Sequence, residues 1–230
     1  MPAGFKLDLH NHTNYSSDGV LPPAALLNMA KQRGLDCLAI TDHDSVRGAL
    51  EAASLALADP TLPRVIPGVE LTTRVGEIIG LYVSEDIPKR LPLNEAVTRI
   101  REQGGLVYLP HPFDYLRRGT ISPRERLRAA QWADIIEVVN GRSLGPGPAK
   151  KAAALAEKLG KPAGAGSDAH WPSEVGTVYV VTAALPTVET LVDLLAAGHV
   201  QGGMRSRQYV LNWGLKSLAP VTRLRSRLPS

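Results

Sequence analysis

The 230-residue sequence has a single cysteine, only 5% aromatic residues and no long apolar run. Because Cys37 is alone, a disulfide within the chain is excluded, and its position in the apolar run CLAI predicts a buried strand residue. A membrane helix needs about 18–20 consecutive apolar residues, and the polar cluster that begins at His10 is unlike a signal peptide. These absences lead us to expect a cytoplasmic protein with no membrane partner.

Acidic residues are missing from the last stretch of the chain. Residues 201–230 carry six basic side chains, Arg205, Arg207, Lys216, Arg223, Arg225 and Arg227. Residues 1–200 therefore hold 20 basic against 22 acidic residues, a net charge of −2, although the whole chain is at +4. The basic stretch is either a solvated tail or an electrostatic contact for a polyanion such as a nucleic acid. Only Tyr209 and Trp213 would support base stacking there.

The rest of the chain alternates short β-like runs with amphipathic helix-like stretches, a pattern typical of parallel βα units. Runs such as FKLDLH, DCLAITDH and RVIPGVELTT predict strands, and GEIIGLYV predicts a strand in hairpin relation to the third. Seven or eight strands result, with helices between most of them and no linker that marks a boundary. We expect an α/β barrel over residues 1–203 and a basic tail over 204–230.

Five of the six histidines lie in polar clusters at the ends of these strand-like runs. They are His10, His12, His43, His111 and His170, accompanied by the carboxylates Asp18, Asp42, Glu70 and Asp168. The ends of parallel barrel strands meet at one face, and residues two apart on a strand point the same way. Imidazole and carboxylate are the ligands of Zn, Mn and Fe. The pattern therefore predicts a site for more than one metal ion, with Asp42 as an acceptor that fixes an imidazole tautomer.

The segments DLHNHTNYSSDG, ITDHD, GVEL, LPHP and GSDAH resemble, in the right order, the motifs of the PHP (polymerase and histidinol phosphatase) superfamily. Within it, IEVVNGR and AGSDAH are similar to those of small stand-alone phosphoesterase-like members. The resemblance covers residues 6 to about 180. It implies a distorted seven-stranded (β/α) TIM-like barrel, up to three divalent metal ions (Mn, Zn or Fe) and hydrolysis of phosphoric esters.

The resemblance also implies a ligand set. A first metal would be held by His10, His12, Glu70 and Asp168. Glu70 would bridge to a second metal that His111 also binds, and Asp18, His43 and His170 would hold a third. Many relatives have a histidine on the strand after the bridging glutamate, where this chain has GEIIGLYV; Glu77 either substitutes for it or lies on the surface of a hairpin. Glu137 is an extra ligand or a supporting group, and Asn140 orients water or ligands.

The expected enzyme hydrolyses phosphomonoesters, or terminal phosphodiesters of small nucleotides or sugar phosphates, through a hydroxide that metal ions generate. Arg142 is the first candidate for a phosphate clamp, because a guanidinium matches two phosphate oxygens. Arg117 and Arg118 are weaker candidates, and Trp171 would line the pocket or stack on a base.

Three alternatives stay open at this point. The chain could be an exonuclease on short oligonucleotides, in which the basic tail holds the strand. It could be a non-catalytic metal-binding module, although loss of several ligands would be expected in that case. Amidohydrolase barrels also begin with His-x-His, but many use a carboxylated lysine at a middle strand end, and no lysine lies at a strand end after Lys6.

Overall fold

The structure is a computed structural model, and it describes residues 4–116 and 119–203. Strands and helices alternate through most of this part of the chain. The strands are β1 (Phe5–Asp8), β2 (Cys37–Ile40), β3 (Arg64–Thr73), β4 (Gly76–Leu81), β5 (Leu106–Leu109), β6 (Ile135–Asn140), β7 (Ala163–Gly166), β8 (Val178–Thr182) and β9 (His199–Gly202). The helices are α1 (Pro23–Gln32), α2 (Arg47–Ala58), α3 (Leu93–Glu102), α4 (Arg126–Trp132), α5 (Gly147–Leu159) and α6 (Leu191–Ala197).

One sheet contains all nine of these strands, in the order β7-β6-β5-β4-β3-β2-β1-β8-β9. Strands β1, β2 and β3 are parallel to one another, as are β5, β6 and β7, whereas β4 and β8 run antiparallel to their neighbours. The sheet curls into a nearly closed barrel, because the segments that follow β1 and β7 meet. Leu9 N–H donates to Ala165 O at 3.2 Å, and Asp168 N–H donates to His10 O at 2.7 Å.

The predicted α/β barrel is confirmed, and so is the hairpin formed by β3 and β4. The described residues form nine strands, one more than the upper count of eight that the sequence pattern predicts. The extra strand β9 has the sequence HVQG, is mostly exposed and pairs with β8. A short exposed strand needs no alternation of apolar and polar residues, so the sequence pattern contains no signal for it.

The helices cover the outside of the barrel with one apolar face. In α3, for example, Leu93, Ala96, Val97 and Ile100 are buried, a spacing of three and four residues that places them on one side. Helix α5 ends at Leu159 and is followed by Gly160, whose left-handed backbone (φ 62°) is the conformation that favours glycine at a helix end.

Apolar side chains fill the barrel interior beneath the strand ends. Leu7, Cys37, Ile79 and Tyr108 are fully buried in this cluster. The predicted burial of Cys37 is therefore confirmed. The polar clusters stand above this apolar floor, at the ends where the parallel strands finish.

Two parts of the sequence analysis lie outside the described residues: the basic stretch 204–230, and the arginines at 117 and 118. Among the helices of the described residues, none has both the length and the apolar composition needed to cross a membrane.

Candidate metal centre

The barrel brings the sequence-predicted side chains to one mouth, from segments far apart in the chain. Each follows a parallel strand or lies in its last half: His10 and His12 after β1, His43 after β2, Glu70 in β3, His111 after β5, and Asp168 and His170 after β7. Isolated bridges between Asn11 and Ala169, and between His43 and Glu70, fasten neighbouring segments together. The convergence expected at the carboxyl ends of barrel strands is thus present.

The imidazoles of His10 and His12 direct their Nε2 atoms at each other, 3.1 Å apart. Nδ1 of His10 lies 3.1 Å from Glu137 Oε1, and Nδ1 of His12 lies 3.1 Å from Ser16 Oγ. Ser16 donates its one hydroxyl proton to Asp42 Oδ1 and accepts from His12. In both neutral rings the proton therefore belongs on Nδ1, and both Nε2 lone pairs face the same point. At this distance the repulsion between the two lone pairs must be offset, either by a proton on one Nε2 or by a cation beside both.

Glu137 fixes the orientation of His10 because its carboxylate receives donors on both oxygens. Oε1 accepts the Tyr108 hydroxyl at 3.1 Å in addition to His10, and Oε2 accepts the His111 backbone N–H at 2.7 Å and the Asn140 amide at 3.0 Å. Because the Glu137 carboxylate acts only as an acceptor, Nδ1 of His10 carries a proton and donates it to Glu137. Glu137 therefore supports the cluster from behind.

The pKa values of His10 and His12 are shifted in opposite directions. Burial alone would lower the pKa of His10, but the Asp168, Glu70 and Glu137 carboxylates outweigh it and raise that pKa well above its usual value. The pKa of His12 is lowered well below its usual value, by burial first and then by the charges of other histidines. The carboxylates thus attract positive charge to this point, and a metal ion would supply it.

Glu70 lies at the centre of the cluster and contacts four imidazoles. Its Oε2 is 3.5 Å from His10 Nε2, 3.4 Å from His12 Nε2 and 3.2 Å from His43 Nδ1, and its Oε1 is 3.0 Å from His111 Nε2. Burial would raise the pKa of the Glu70 carboxyl, but His10 and His43 outweigh burial and hold the pKa well below its usual value. A carboxylate with imidazoles at both oxygens is placed to bridge two cations.

Asp18, His43 and His170 form the more open side of the cluster. Asp18 Oδ2 is 3.1 Å from His170 Nε2, and Asp18 Oδ1 is 3.6 Å from His43 Nε2. Burial acts to raise the pKa of Asp18, but its hydrogen bonds with the two histidines hold it far below its usual value. Burial acts to lower the pKa of His43, but the Glu70 and Asp18 carboxylates raise it to about 10. The side chains of Asp18 and His43 are 32% and 27% exposed, against 2% for His170, so a ligand would enter here.

Arg142 lies inside the site. Its Nη1 is 2.7 Å from His170 Nδ1 and 3.6 Å from Asp168 Oδ1, and its side chain is 15% exposed. The backbone N–H of Arg142 donates to Asn140 Oδ1 at 2.9 Å, and the Asn140 amide donates to Asp168 Oδ2 at 3.0 Å. Asn140 therefore couples the loop after β6 to the cluster. Half-buried Trp171 adjoins His170, and its backbone N–H donates to Glu174 at 3.2 Å.

Glu77 also belongs to the cluster. Its carboxylate oxygens are 3.9 Å from His43 Nδ1 and 3.9 Å from His111 Nε2, and its side chain is 15% exposed. Burial, followed by repulsion from Glu70, raises the pKa of the Glu77 carboxyl to about 7. The Glu77 carboxylate thus faces the histidines, and its role as a substitute for a ligand histidine stays a prediction.

Ligand atoms in the described residues come together in four groups of three, with the atoms of each group within 4.8 Å of one another. The groups are His12, His43 and His170; His10, His12 and Glu70; His10, His111 and Asp168; and His43, Glu70 and Glu77. The groups share members, so adjacent cations bound there would have ligands in common. Compared with the expected sets, Asp168 adjoins His111 as well as His10, and His12 adjoins His43 and His170.

Two residues of the cluster have a backbone conformation that is rare for side chains other than glycine. His111 has φ 29° and Asp168 has φ 53°. Such conformations cost on the order of 1–3 kcal/mol each and persist where surrounding contacts hold them. The bonds from His111 N–H to Glu137 and from Asp168 N–H to His10 O supply those contacts here. Strain of this kind is concentrated at functional sites.

Sequence reasoning missed two supporting residues. Ser16 is buried and joins His12, Asp42 and the His43 backbone N–H through one hydroxyl. Asp42, predicted to fix an imidazole tautomer, therefore reaches His12 through Ser16. Asp8 is fully buried, and its carboxylate accepts the Ser167 backbone N–H at 2.9 Å; burial raises its pKa to about 6. An acidic residue inside the strand-like run FKLD was the one available signal for Asp8.

A comparison with protein families gives two matches. The model of the PHP domain matches residues 8–137, and a model described as PHP-associated matches residues 147–200. Together they span the histidines and carboxylates of the cluster, whereas Asn140 and Arg142 lie between the two matched ranges.

Several known proteins are similar to this chain. An uncharacterized protein of Methanocaldococcus jannaschii is 36% identical over 178 residues, which are 76% of this chain and 69% of that protein. A 5′-3′ exoribonuclease of Haemophilus influenzae is 35% identical over 102 residues, 43% of this chain and 36% of that protein. A 3′,5′-nucleoside bisphosphate phosphatase of Chromobacterium violaceum is 36% identical over 100 residues, 42% of this chain and 33% of that protein.

A solved structure from Bacteroides vulgatus, a two-domain protein that contains a predicted PHP-like metal-dependent phosphoesterase, has the same fold. It superposes with a TM-score of 0.69 at 18% identity and covers 92% of this chain and 69% of its own.

Proposed function

The chain belongs to the PHP family, and on that basis we propose that it is a metal-dependent phosphoesterase that acts on small phosphorylated substrates. The observation that carries the proposal is the pair of Nε2 lone pairs of His10 and His12, which face each other beside Glu70 and Asp168. The Haemophilus influenzae exoribonuclease and the Chromobacterium violaceum bisphosphate phosphatase, by their names, both act on phosphoric esters.

The donor set fits divalent cations, and we assign two or three of them to it. The assignment uses His10, His12, Glu70 and Asp168 for a first ion, Glu70, Glu77 and His111 for a second, and Asp18, His43 and His170 for a third. Imidazole with carboxylate suits Mn, Zn or Fe. When bound, such ions lower the pKa of water and offset the charge of a phosphate.

Water is the nucleophile that the described residues favour. Cys37 is fully buried in the barrel floor, and burial raises the pKa of its thiol to about 12. The hydroxyl of Ser16 is committed to Asp42, and that of Ser167 accepts the backbone N–H groups of Thr177 and Val178. Neither hydroxyl has an adjacent base free to activate it, so a covalent route through these side chains is disfavoured.

The phosphate would enter at the open side of the cluster. Asp18, His43, Glu77 and Arg142 are the partly exposed members, whereas the side chains of His10 and His12 are fully buried. Arg142 carries the fixed positive charge of this rim, and its guanidinium can donate to two phosphate oxygens. Its contact with His170 directs the guanidinium into the cluster, so we assign it the binding of the phosphate. Trp171, next in sequence to His170, is assigned to the wall of the pocket.

The test is a substrate screen with matched histidine variants. Protein loaded separately with Mn, Zn and Fe would be assayed on mononucleotides, bisphosphates, sugar phosphates and short oligonucleotides. His10→Ala should lose detectable turnover while its circular dichroism spectrum is unchanged. His199→Ala is the control, because His199 is exposed on β9 and its side chain forms a hydrogen bond only with Gln201 among the described residues. Turnover by His10→Ala at the level of His199→Ala would refute the assignment.

One observation favours an exonuclease as a second candidate. The described chain ends at Gly203, whose N–H donates to Thr177 O at 3.3 Å, and the Thr177 N–H in turn donates to Ser167, the residue before Asp168. The described chain therefore ends close to Asp168, and six basic residues follow in sequence. An exonuclease should bind short single strands with a slope of log affinity on log salt of about −0.7 per phosphate contacted. A phosphatase would show no dependence on strand length.

A further inference from the structure

Two carboxylates and two imidazoles meet at the Glu77 side of the cluster. Glu77 pairs with Thr72 across the β3–β4 hairpin, so it lies on the same face as Glu70, two residues earlier in β3. The nitrogens of His43 and His111 that lie 3.9 Å from Glu77 lie 3.2 Å and 3.0 Å from Glu70. A cation among these four groups would have oxygen donors from two separate carboxylates.

Gly119, in the loop after His111, leaves free the space that the Glu77 carboxylate occupies. A Cβ atom built at Gly119 would overlap both carboxylate oxygens and the Cδ of Glu77. The φ of Gly119 lies outside the left-handed region, so the backbone conformation itself does not require glycine there. The requirement is one of space. The backbone N–H of Glu77 also donates to Gly119 O at 2.7 Å, so Gly119 is hydrogen-bonded to β4 at this contact.

The chemistry of the donors differs from one side of the cluster to the other. His12, His43 and His170 offer three imidazoles to one point, whereas His43, Glu70 and Glu77 offer two carboxylates and one imidazole. Imidazole suits Zn, Cu, Fe and Ni, while carboxylate oxygen suits Mg, Ca and Mn. The identity of residue 77 therefore affects which cation the group of His43, Glu70 and Glu77 prefers.

We propose that Gly119 is a positioning residue that holds the Glu77 carboxylate at the cluster, and that Glu77 biases this side toward an oxygen-preferring cation such as Mn²⁺. The inference rests on the proposed function, since it assumes that the cluster binds divalent ions. It adds a residue that the sequence motifs do not include, and a reason for the choice of metal.

The experiment measures metal binding without any assay of turnover. The whole chain, loaded with Mn²⁺ or Zn²⁺ and freed of excess metal by gel filtration, would be analysed for metal content and by Mn²⁺ EPR. Glu77→Gln and Gly119→Ala should each weaken one Mn²⁺ by about tenfold or more, the size of effect seen when groups that support a metal site are removed. Glu77→His should shift the Zn-to-Mn affinity ratio toward Zn by about tenfold.

Gly147→Ala is the matched control, because a Cβ at Gly147 meets no atom within 4 Å and its φ is not left-handed. It should bind metal as the unaltered chain does. The double variant Gly119→Ala/Glu77→Asp tests positioning directly: the shorter Asp withdraws from the new Cβ, so part of the Mn²⁺ affinity should return. A purely structural effect of Gly119→Ala would not be rescued in this way.

The outcomes separate the two proposals. If Gly119→Ala retains the Mn²⁺ content and EPR spectrum of Gly147→Ala, the positioning role is refuted while the phosphoesterase proposal stands. If Glu77→His leaves the Zn-to-Mn ratio unchanged, the selectivity role is refuted. If the unaltered chain itself binds neither metal, the proposed function fails, and this inference fails with it.

Discussion

The hydroxyl of Ser16 should set both the stability and the metal affinity of the cluster. It accepts the Nδ1–H of His12 at 3.1 Å and the backbone N–H of His43 at 3.0 Å, and it donates to Asp42 at 2.8 Å. Ser16→Ala would leave two donors without an acceptor. Asp42 Oδ1 would lose less, because it also accepts the Thr13 backbone N–H at 2.7 Å.

The magnitude follows from burial. A buried donor left without a partner costs about 1–3 kcal/mol. His12 is fully buried and would bear this cost, whereas the environment of His43 is partly open, and water would replace its lost partner. We therefore expect Ser16→Ala to lose about 1–3 kcal/mol of unfolding free energy. For a domain of this size, each kcal/mol corresponds to about 2–4 °C in Tm. Metal affinity should also fall by about 10–100-fold, because the Nδ1 proton of His12 is no longer fixed.

Urea unfolding in the presence of a chelator would measure the first effect, and calorimetric titration with Mn²⁺ or Zn²⁺ the second. The adjacent Ser17→Ala is the control, since Ser17 is exposed and a surface change of this kind stays within about 0.5 kcal/mol. If Ser16→Ala bound metal within twofold of Ser17→Ala, the tautomer argument for His12 would be wrong.

Two further predictions concern the whole chain. Metal at about 100 times its dissociation constant should stabilise the protein by about 2.7 kcal/mol, or about 5–11 °C in Tm, and a chelator should reverse the shift; a Tm independent of metal in differential scanning calorimetry would contradict the metal centre. Cys37 should not react with a thiol reagent at pH 8 until the protein is unfolded, because burial raises its pKa to about 12 and the thiolate is the reactive form. Stoichiometric labelling of the native protein would show that the barrel floor is more open than described.

The sequence was sufficient for much of the fold because the hydrophobic pattern changes clearly between strand and helix. The hairpin of β3 and β4 is an example, since the two apolar runs are separated by a short turn around Gly76. The short strand β9 was missed because HVQG is mostly exposed, and its pairing with β8 depends on how α6 returns the chain to the sheet. Whether such a segment forms a strand depends on its tertiary contacts and not on its local composition.

The cluster was partly predictable for a similar reason. His-x-His and Asp-x-His at strand ends are local patterns, and a barrel brings strand ends together. The partners of Glu137, a residue that the sequence analysis did name, show where this reasoning stops. Glu137 lies 127 residues from His10 and receives donors from three further residues, a relation that exists only after the barrel has closed. Ser16 is likewise one of two adjacent serines, and burial alone distinguishes it from Ser17.

The supporting residues explain why five imidazoles can be collected at one mouth. Buried ionisable groups are costly unless each is paired. Glu137 and Ser16 each accept an Nδ1–H, which leaves His10 and His12 with their Nε2 lone pairs directed inward. Apolar residues in place of these two imidazoles would avoid that cost, so stability of the barrel does not account for the arrangement. Binding of positive charge does, because the buried carboxylate of Glu70 contacts the same nitrogens and completes a donor set for a cation.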